Sequence, residues 1–199
     1  QDNTSKNANL LTQNTDKAIN AIKHKDEEGL VQVLRETQHL KKEIEKLKEA
    51  VYRDELTHAY NRKWLHDNYL NEDNVSFKEA GTLAIIDLNY FKQVNDTHGH
   101  IIGDKVLIYI ANQLKATRVN VIRYGGDEFI IIFEAKNSIK YAIDNLEKIR
   151  ENVISKKLKA HDSKFNVSFS YGLVTFASGN DLAQTIELAD KNMYEDKIK

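Results

Sequence analysis

The stretch NVIRYGGDEFIIIF, residues 120–133, decides the reading of the fold. Two strand-forming runs, Asn120–Tyr124 and Glu128–Phe133, flank Gly125-Gly126-Asp127. Such runs joined by a short Gly-rich turn predict a β-hairpin. The paired glycines let the backbone adopt positive φ and approach a ligand closely, and Asp127 sits in that turn.

Working outward, Thr82-Leu83-Ala84-Ile85-Ile86 is a short apolar run of buried-strand type that ends at Asp87. Between it and the hairpin, Gly103–Lys115 carries apolar residues at 106, 107, 110, 111 and 114, a helical spacing. Beyond the hairpin the pattern predicts a helix over Ser138–Ser155, a strand over Phe165–Phe176 and a last helix from Ala183. A short helix, Asn61–Leu70, and a polar loop, Asn71–Ala80, come before the first strand. The order strand, helix, two strands, helix, strand, helix predicts an α+β fold with a central, mostly antiparallel sheet flanked by helices.

The first 51 residues read differently. Residues 1–16 are rich in Asn, Gln, Thr and Ser, and the expectation is a disordered or frayed end. From 17 to 51 there is no Pro, and Val33, Thr37, Leu40, Ile44, Leu47 and Val51 recur at alternating spacings of four and three. That is a heptad seam, so the expectation is one long N-terminal helix forming a coiled-coil stalk between two chains. The competing reading is an amphipathic helix packed on its own domain. Residues 52–199 form the globular part.

Composition narrows the function. The chain has 199 residues, 29 Lys+Arg against 30 Asp+Glu, and a net charge of -1. Nucleic-acid binding by bulk positive charge is excluded. Zero Cys removes disulfides, cysteine zinc sites and thiol nucleophiles, and fits a reducing compartment. No apolar run approaches the roughly 18 residues of a membrane span. The first residue is Gln1 rather than Met, so the expectation is part of a longer chain with a sensor upstream. A cytoplasmic catalytic domain is expected, tethered to a membrane only through an upstream segment.

An acidic residue at the end of an apolar strand is not there for packing, since an unpaired buried carboxylate is costly. Alone, Asp87 reads equally as a cap for the segment that follows. If its strand lies beside the hairpin, Asp87, Asp127 and Glu128 meet at one sheet edge. Clustered carboxylates repel unless a hard cation joins them, and Mg²⁺ held by one or two carboxylates plus substrate phosphates is the usual solution. The helix-like turn after Asp87 offers backbone N–H groups and Lys92 to phosphate. Asn95, His100 and Asp104 follow, and an Asn with an Asp can read a guanine edge.

These segments resemble the GGDEF diguanylate cyclase family. Arg123-Tyr124-Gly125-Gly126-Asp127-Glu128-Phe129 is similar to its signature loop, Asp54-Glu55-Leu56-Thr57 with Asn61-Arg62 to its opening motif, the run from Asp87 to His100 with Gly103-Asp104 to its long central motif, and Ala189-Asp190 through Tyr194 with Lys197 to its C-terminal one. The resemblance covers about residues 52 to 199. It implies a nucleotide-cyclase or palm-like sheet and condensation of two GTP into cyclic di-GMP with release of pyrophosphate across a homodimer. It implies Mg²⁺, with Mn²⁺ as a substitute, held by Asp87, the Leu88 carbonyl, Asp127 and Glu128. Asp127 would be the base for the ribose 3′-hydroxyl, with Glu128 beside it and Lys92 stabilising phosphate charge. Asn95 and Asp104 would read guanine, His100 would line the pocket, Phe91 would be among the substrate-binding positions and Lys197 would reach the γ-phosphate.

Three departures stand out. The family's R-x-x-D product site falls on Ala116 and Val119, Asn89 replaces the second Asp of the central motif, and the sequence stops at Lys199 before the Gly-Arg-Asn that often follows. The alternative function is a catalytically silent GGDEF module that binds GTP or a protein as a sensor. Synthesis of a hybrid dinucleotide is disfavoured, because ATP-using relatives tend to carry Ser where Asp104 stands.

Overall fold

The computed structural model describes residues 2–24, 26–160 and 163–198, the side chains of 2–8, 11 and 195–198 excepted. Along the chain come α1 (Asp2–His24), α2 (Glu27–Tyr52), α3 (Arg62–Tyr69), β1 (Gly81–Leu88), α4 (Phe91–His98) and α5 (His100–Leu114). A single 3₁₀ turn, β2 (Val121–Gly125), β3 (Glu128–Glu134) and α6 (Ile139–Ser155) follow. The chain ends with β4 (Leu158–Ala160), β5 (Ser163–Phe165), β6 (Phe169–Phe176) and α7 (Leu182–Ile198). It divides into two units, Gln1–Val51 and Tyr52–Lys199.

In the second unit the four main strands lie in the order β2-β3-β1-β6, every pair antiparallel. Strand β1 is central and buried on both faces, which is why its sequence is an unbroken apolar run. Alternate residues serve alternate layers. Ala84, Ile86, Phe129, Ile131 and Phe133 pack under α5 and α6. Leu83, Ile85, Ile130 and Ile132 pack against Leu65 of α3 and Leu182, Ala189 and Met193 of α7. The expected hairpin is β2–β3, with a register shift between Arg123 and Gly125.

Several expectations are corrected. Residues 2–16 are helical rather than frayed, and the helix expected unbroken over 17–51 is two helices. The break has a local cause: the Asp26 carboxylate accepts the Gly29 N–H at 2.9 Å and so caps a new helix start, with Glu27 and Glu28 in its first turn. The strand expected over Phe165–Phe176 is interrupted, because Asn166 turns away to donate to the Ile154 carbonyl at 2.8 Å. The first part pairs instead in the small β4–β5 hairpin.

Helix α7 lies unusually close to β6. A Cβ at Gly172 would overlap the Ala189 carbonyl oxygen and lie 2.5 Å from the Met193 nitrogen. Both are backbone atoms of α7, so relief requires moving the helix. Gly172→Ala should therefore destabilise the fold by about 1–3 kcal/mol through overpacking, measured as a shift in denaturant midpoint. An unchanged midpoint would show that α7 is not seated as described.

Candidate active site

The strand register brings two expected site residues face to face. Asp87, next to last in β1, is the direct cross-strand partner of Glu128, the first residue of β3. Both continue the face of Leu83 and Ile85 and of Ile130 and Ile132, the face covered by α3 and α7. Like charges directly opposite on a ladder are destabilising. The effect is visible at Glu128: its carboxyl is pushed above its usual value by burial and by the charges of Asp190, Asp87 and Asp127, with Arg62 opposing. Asp127 sits in the turn just before, reached through Gly126 at φ +44°.

The signature turn is held from behind. Arg123 donates to the Gly126 carbonyl from Nε at 3.0 Å and Nη2 at 2.7 Å. Its Nη1 reaches both oxygens of Asp54, at 3.0 and 3.2 Å. Asp54 in turn accepts the Thr57 N–H and hydroxyl, at 2.8 and 2.7 Å. Burial alone would raise the Asp54 carboxyl, but these donors and the guanidinium hold it below its usual value. A second arginine, Arg62, donates to the Tyr124 carbonyl and stacks its guanidinium 3.9 Å over the Tyr124 ring.

The remaining expected residues lie on the segment leaving β1. Leu88 ends the strand, paired with Phe169. Tyr90 turns the chain in a left-handed conformation, φ 58°, a costly one for a bulky residue and of the kind concentrated at functional sites. Lys92 is exposed in the first turn of α4, and His100 and Asp104 are exposed on α5. Asn95 is half-buried against α5, where a Cβ on Gly103 would overlap its Oδ1 and lie 3.0 Å from its Cγ. Phe91 packs partly buried on the core under α5 and α6. Asn89 ties β1 to the start of β6, donating to Ser168 Oγ at 3.0 Å and accepting from Ser170 Oγ at 2.9 Å. The side chain of Lys197 lies outside the described residues.

Asp54, Arg62, Arg123 and Asp190 were part of recognisable motifs, yet their work was not legible. Each acts through contacts to residues far off in sequence, as Arg123 does to Asp54. A cleft of about 410 Å³ lined by Tyr69, Lys78, Glu134 and Phe176 opens at the other end of the sheet, away from the carboxylates.

Among the described residues no group of three or more His, Cys, Asp or Glu could hold a metal on its own. The opposed Asp87 and Glu128 nevertheless fit a hard divalent cation that takes its other ligands from substrate phosphates, since the repulsion across the ladder is what such a cation relieves.

The fold is thus an antiparallel four-stranded sheet covered by helices, with opposed carboxylates where β1 ends and β3 begins and a helix turn beside them. The chain belongs to the GGDEF family: "Diguanylate cyclase, GGDEF domain" matches residues 51–199. It is 37% identical over 124 residues to diguanylate cyclase A of Treponema denticola, which covers 60% of this chain and 33% of the relative. It is 30% identical over 171 residues to diguanylate cyclase VdcA of Vibrio cholerae, which covers 81% of this chain and 49% of the relative. The chain thus spans half or less of these curated relatives. Among solved structures, the coiled coil and GGDEF domain of DgcB from Caulobacter crescentus in complex with c-di-GMP is similar, with a TM-score of 0.70, 26% identity and coverage of 89% of this chain and 95% of that one. None of the described helices is long and apolar enough to cross a membrane.

The Asp54 clamp carries a pH signature. Its folded carboxyl titrates below the ordinary value of 3.8, so the stability it contributes is present above that pH and is lost as pH falls through the folded value. Asp54→Asn should lower the melting temperature at pH 7, and the gap to the parent should close in acid. A gap independent of pH would mean the clamp is not ionic.

Glu128→Gln should have the opposite effect on stability. At pH 7 and without metal it removes a carboxylate from an unfavourable cross-strand pair, so the melting temperature should rise. A lower melting temperature would show that the pair is not repulsive.

Proposed function

We propose that this chain condenses two molecules of GTP into cyclic di-GMP with release of pyrophosphate, each protomer of a homodimer holding one GTP. The observation that carries the reading is the opposition of Asp87 and Glu128 at the end of the β1–β3 ladder, beside an Asp127 turn clamped by Arg123. In each of two steps the 3′-oxygen of one GTP bonds to the α-phosphorus of the other, and the bond from that phosphorus to the pyrophosphate leaving group breaks. Asp127 takes the 3′-hydroxyl proton. Lys92 on the first turn of α4, and Lys197, balance phosphate charge. Asp104 accepts from guanine N1–H and the 2-amino group, and Asn95 both donates to and accepts from the base edge. His100 lines the pocket, and Phe91 holds α4 in place.

Mg²⁺, with Mn²⁺ as a substitute, would be held by Asp87, the Leu88 carbonyl, Asp127 and Glu128, and supplies neutralisation of charge on the reacting phosphates. The chain's own part is positioning and electrostatics rather than covalent chemistry. Pairing of two chains through residues 17–51 brings the two sites together, a reading supported by the coiled coil of the similar DgcB structure. The domain works in the cytoplasm, under a sensor domain outside the present chain.

The direct test is incubation with GTP and Mg²⁺ and identification of the product by mass spectrometry. Cyclic di-GMP is expected, and Asp87→Ala or Asp127→Ala should cut its rate by at least about a hundredfold with the circular dichroism unchanged. Asp104→Ser should narrow the preference for GTP over ATP, roughly tenfold or more, because the acceptor for guanine N1–H is weakened. A folded protein that binds GTP but makes no cyclic dinucleotide would instead be a silent sensor module.

A further inference from the structure

A cation stands in line with the carboxylate pair. Gly125, Glu128 and Asp87 are successive cross-strand partners on β2, β3 and β1, so the three positions lie in one row across the sheet. Residues directly opposite one another turn their side chains to the same face, on strands about 4.8 Å apart. The place that a side chain at Gly125 would enter is taken by Arg62, since a Cβ there would lie 3.4 Å from its Nη2. The row therefore runs guanidinium, Glu128, Asp87. Glu128 has a positive charge on one side and a carboxylate on the other.

That guanidinium is fixed in place. Arg62 opens α3 behind an Asn61 cap, whose side chain accepts the Trp64 N–H at 3.0 Å. Tyr124 is the residue that the β2–β3 register skips. Arg62 Nε donates to its carbonyl, and the guanidinium carbon lies 3.9 Å over its ring. A carbonyl and a ring hold the group without neutralising it, so its charge stays available to the acids alongside. Among the described residues the charges acting on Glu128 are three acids, Asp190, Asp87 and Asp127, and one cation, Arg62.

A fixed positive charge beside a carboxylate pair acts in two directions. It weakens the pair's hold on a divalent cation, because like charges repel and Glu128 already has a partner. It favours a ligand that brings phosphates, because their charge is negative. We propose that Arg62 is the resident counter-cation of the Asp87–Glu128 pair and makes metal binding depend on the nucleotide, so that a divalent cation binds weakly alone and tightly with the triphosphate. This rests on the metal-and-GTP reading above and adds how the two ligands depend on each other. By linkage, the factor that nucleotide adds to metal affinity is the factor that metal adds to nucleotide affinity.

The probes are Mn²⁺, followed by loss of its free paramagnetic resonance signal, and 3′-deoxy-GTP, which lacks the hydroxyl that condensation needs. Mn²⁺ held by the nucleotide in solution is subtracted. Without nucleotide, Arg62→Gln should bind Mn²⁺ at least about threefold more tightly than the parent, and the enhancement by 3′-deoxy-GTP should shrink by a similar factor. Arg62 is exposed, so the difference should fade at about 1 M salt, where screening acts within about 3 Å. Arg62→Lys keeps the charge and should lie closer to the parent than to Arg62→Gln. Arg62→Ala carries the same expectation as Arg62→Gln and replaces it if that variant does not fold. An arginine that only braced the turn would give another pattern: all three variants would bind Mn²⁺ more weakly, at any salt concentration. That pattern, or an unchanged Mn²⁺ affinity in the folded neutral variant, overturns the proposal. A parent protein that binds no Mn²⁺ even with 3′-deoxy-GTP present removes the metal-and-GTP reading itself, and the proposal with it. Weak binding alone and tight binding together in the parent, relaxed in Arg62→Gln, supports both.

Discussion

Two carboxylates face each other across the β1–β3 ladder, and the rest of the second unit is arranged to keep them there. Asp87 and Glu128 are exact register partners, with burial and two further acids, Asp127 and Asp190, adding to the strain at Glu128. Left alone, such a pair would loosen the end of the β1–β3 ladder. It is held because β1 is central, buried on both faces and hydrogen-bonded to β3 on one side and β6 on the other. Core burial on both sides of one strand outweighs a single repulsive pair at its end. The unfavourable term is local, and a hard cation is what would relieve it.

A second constraint fixes the turn that carries Asp127. Gly126 in a left-handed conformation exposes its carbonyl, and Arg123 converts that carbonyl into an anchor by sharing one guanidinium between it and Asp54. Asp54 lies just beyond the last residue of α2, Tyr52, whose carbonyl accepts the Asn61 N–H at 2.9 Å. Tyr60 then pairs with β2 on both sides, donating to Val121 and accepting from Arg123. A short run of hydrogen bonds thus leads from the end of α2 to the turn.

The legible parts of the sequence were those in which one periodicity dominates. The runs at 82–86 and 129–133 read as buried strands because both sheet faces are covered; the Gly-Gly turn fixed only the β2–β3 pairing, and the adjacency of β1 to β3 that opposes Asp87 to Glu128 stood in the sequence as a condition. The helix break at Asp26 was hidden because helix formers continue through it, although Asp26 with Glu27 and Glu28 is a helix-start signal. The β4–β5 hairpin was missed because it is three residues a side and carries no strong alternation. Phe91 sits in a motif and so read as a substrate contact, and its ring also packs partly buried on the core. Motif membership marks a position as constrained without saying which neighbour constrains it.

Close packing through glycine sets where two of the candidate groups lie. Gly172 lets α7 lie against β6 at backbone contact, which brings Asp190 within electrostatic reach of Glu128. Gly103 does the same for the α4–α5 corner, allowing the Asn95 amide to rest against α5 one residue before Asp104. In both cases a missing Cβ sets the position of a polar group that itself touches little of the core. Core packing is dense and not continuously deformable, so these positions are determined by backbone fit rather than by the polar residues' own contacts. The site is therefore only as well placed as two helix contacts remote from its chemistry, and substitutions there should alter the geometry of recognition while every side chain of the motif remains present.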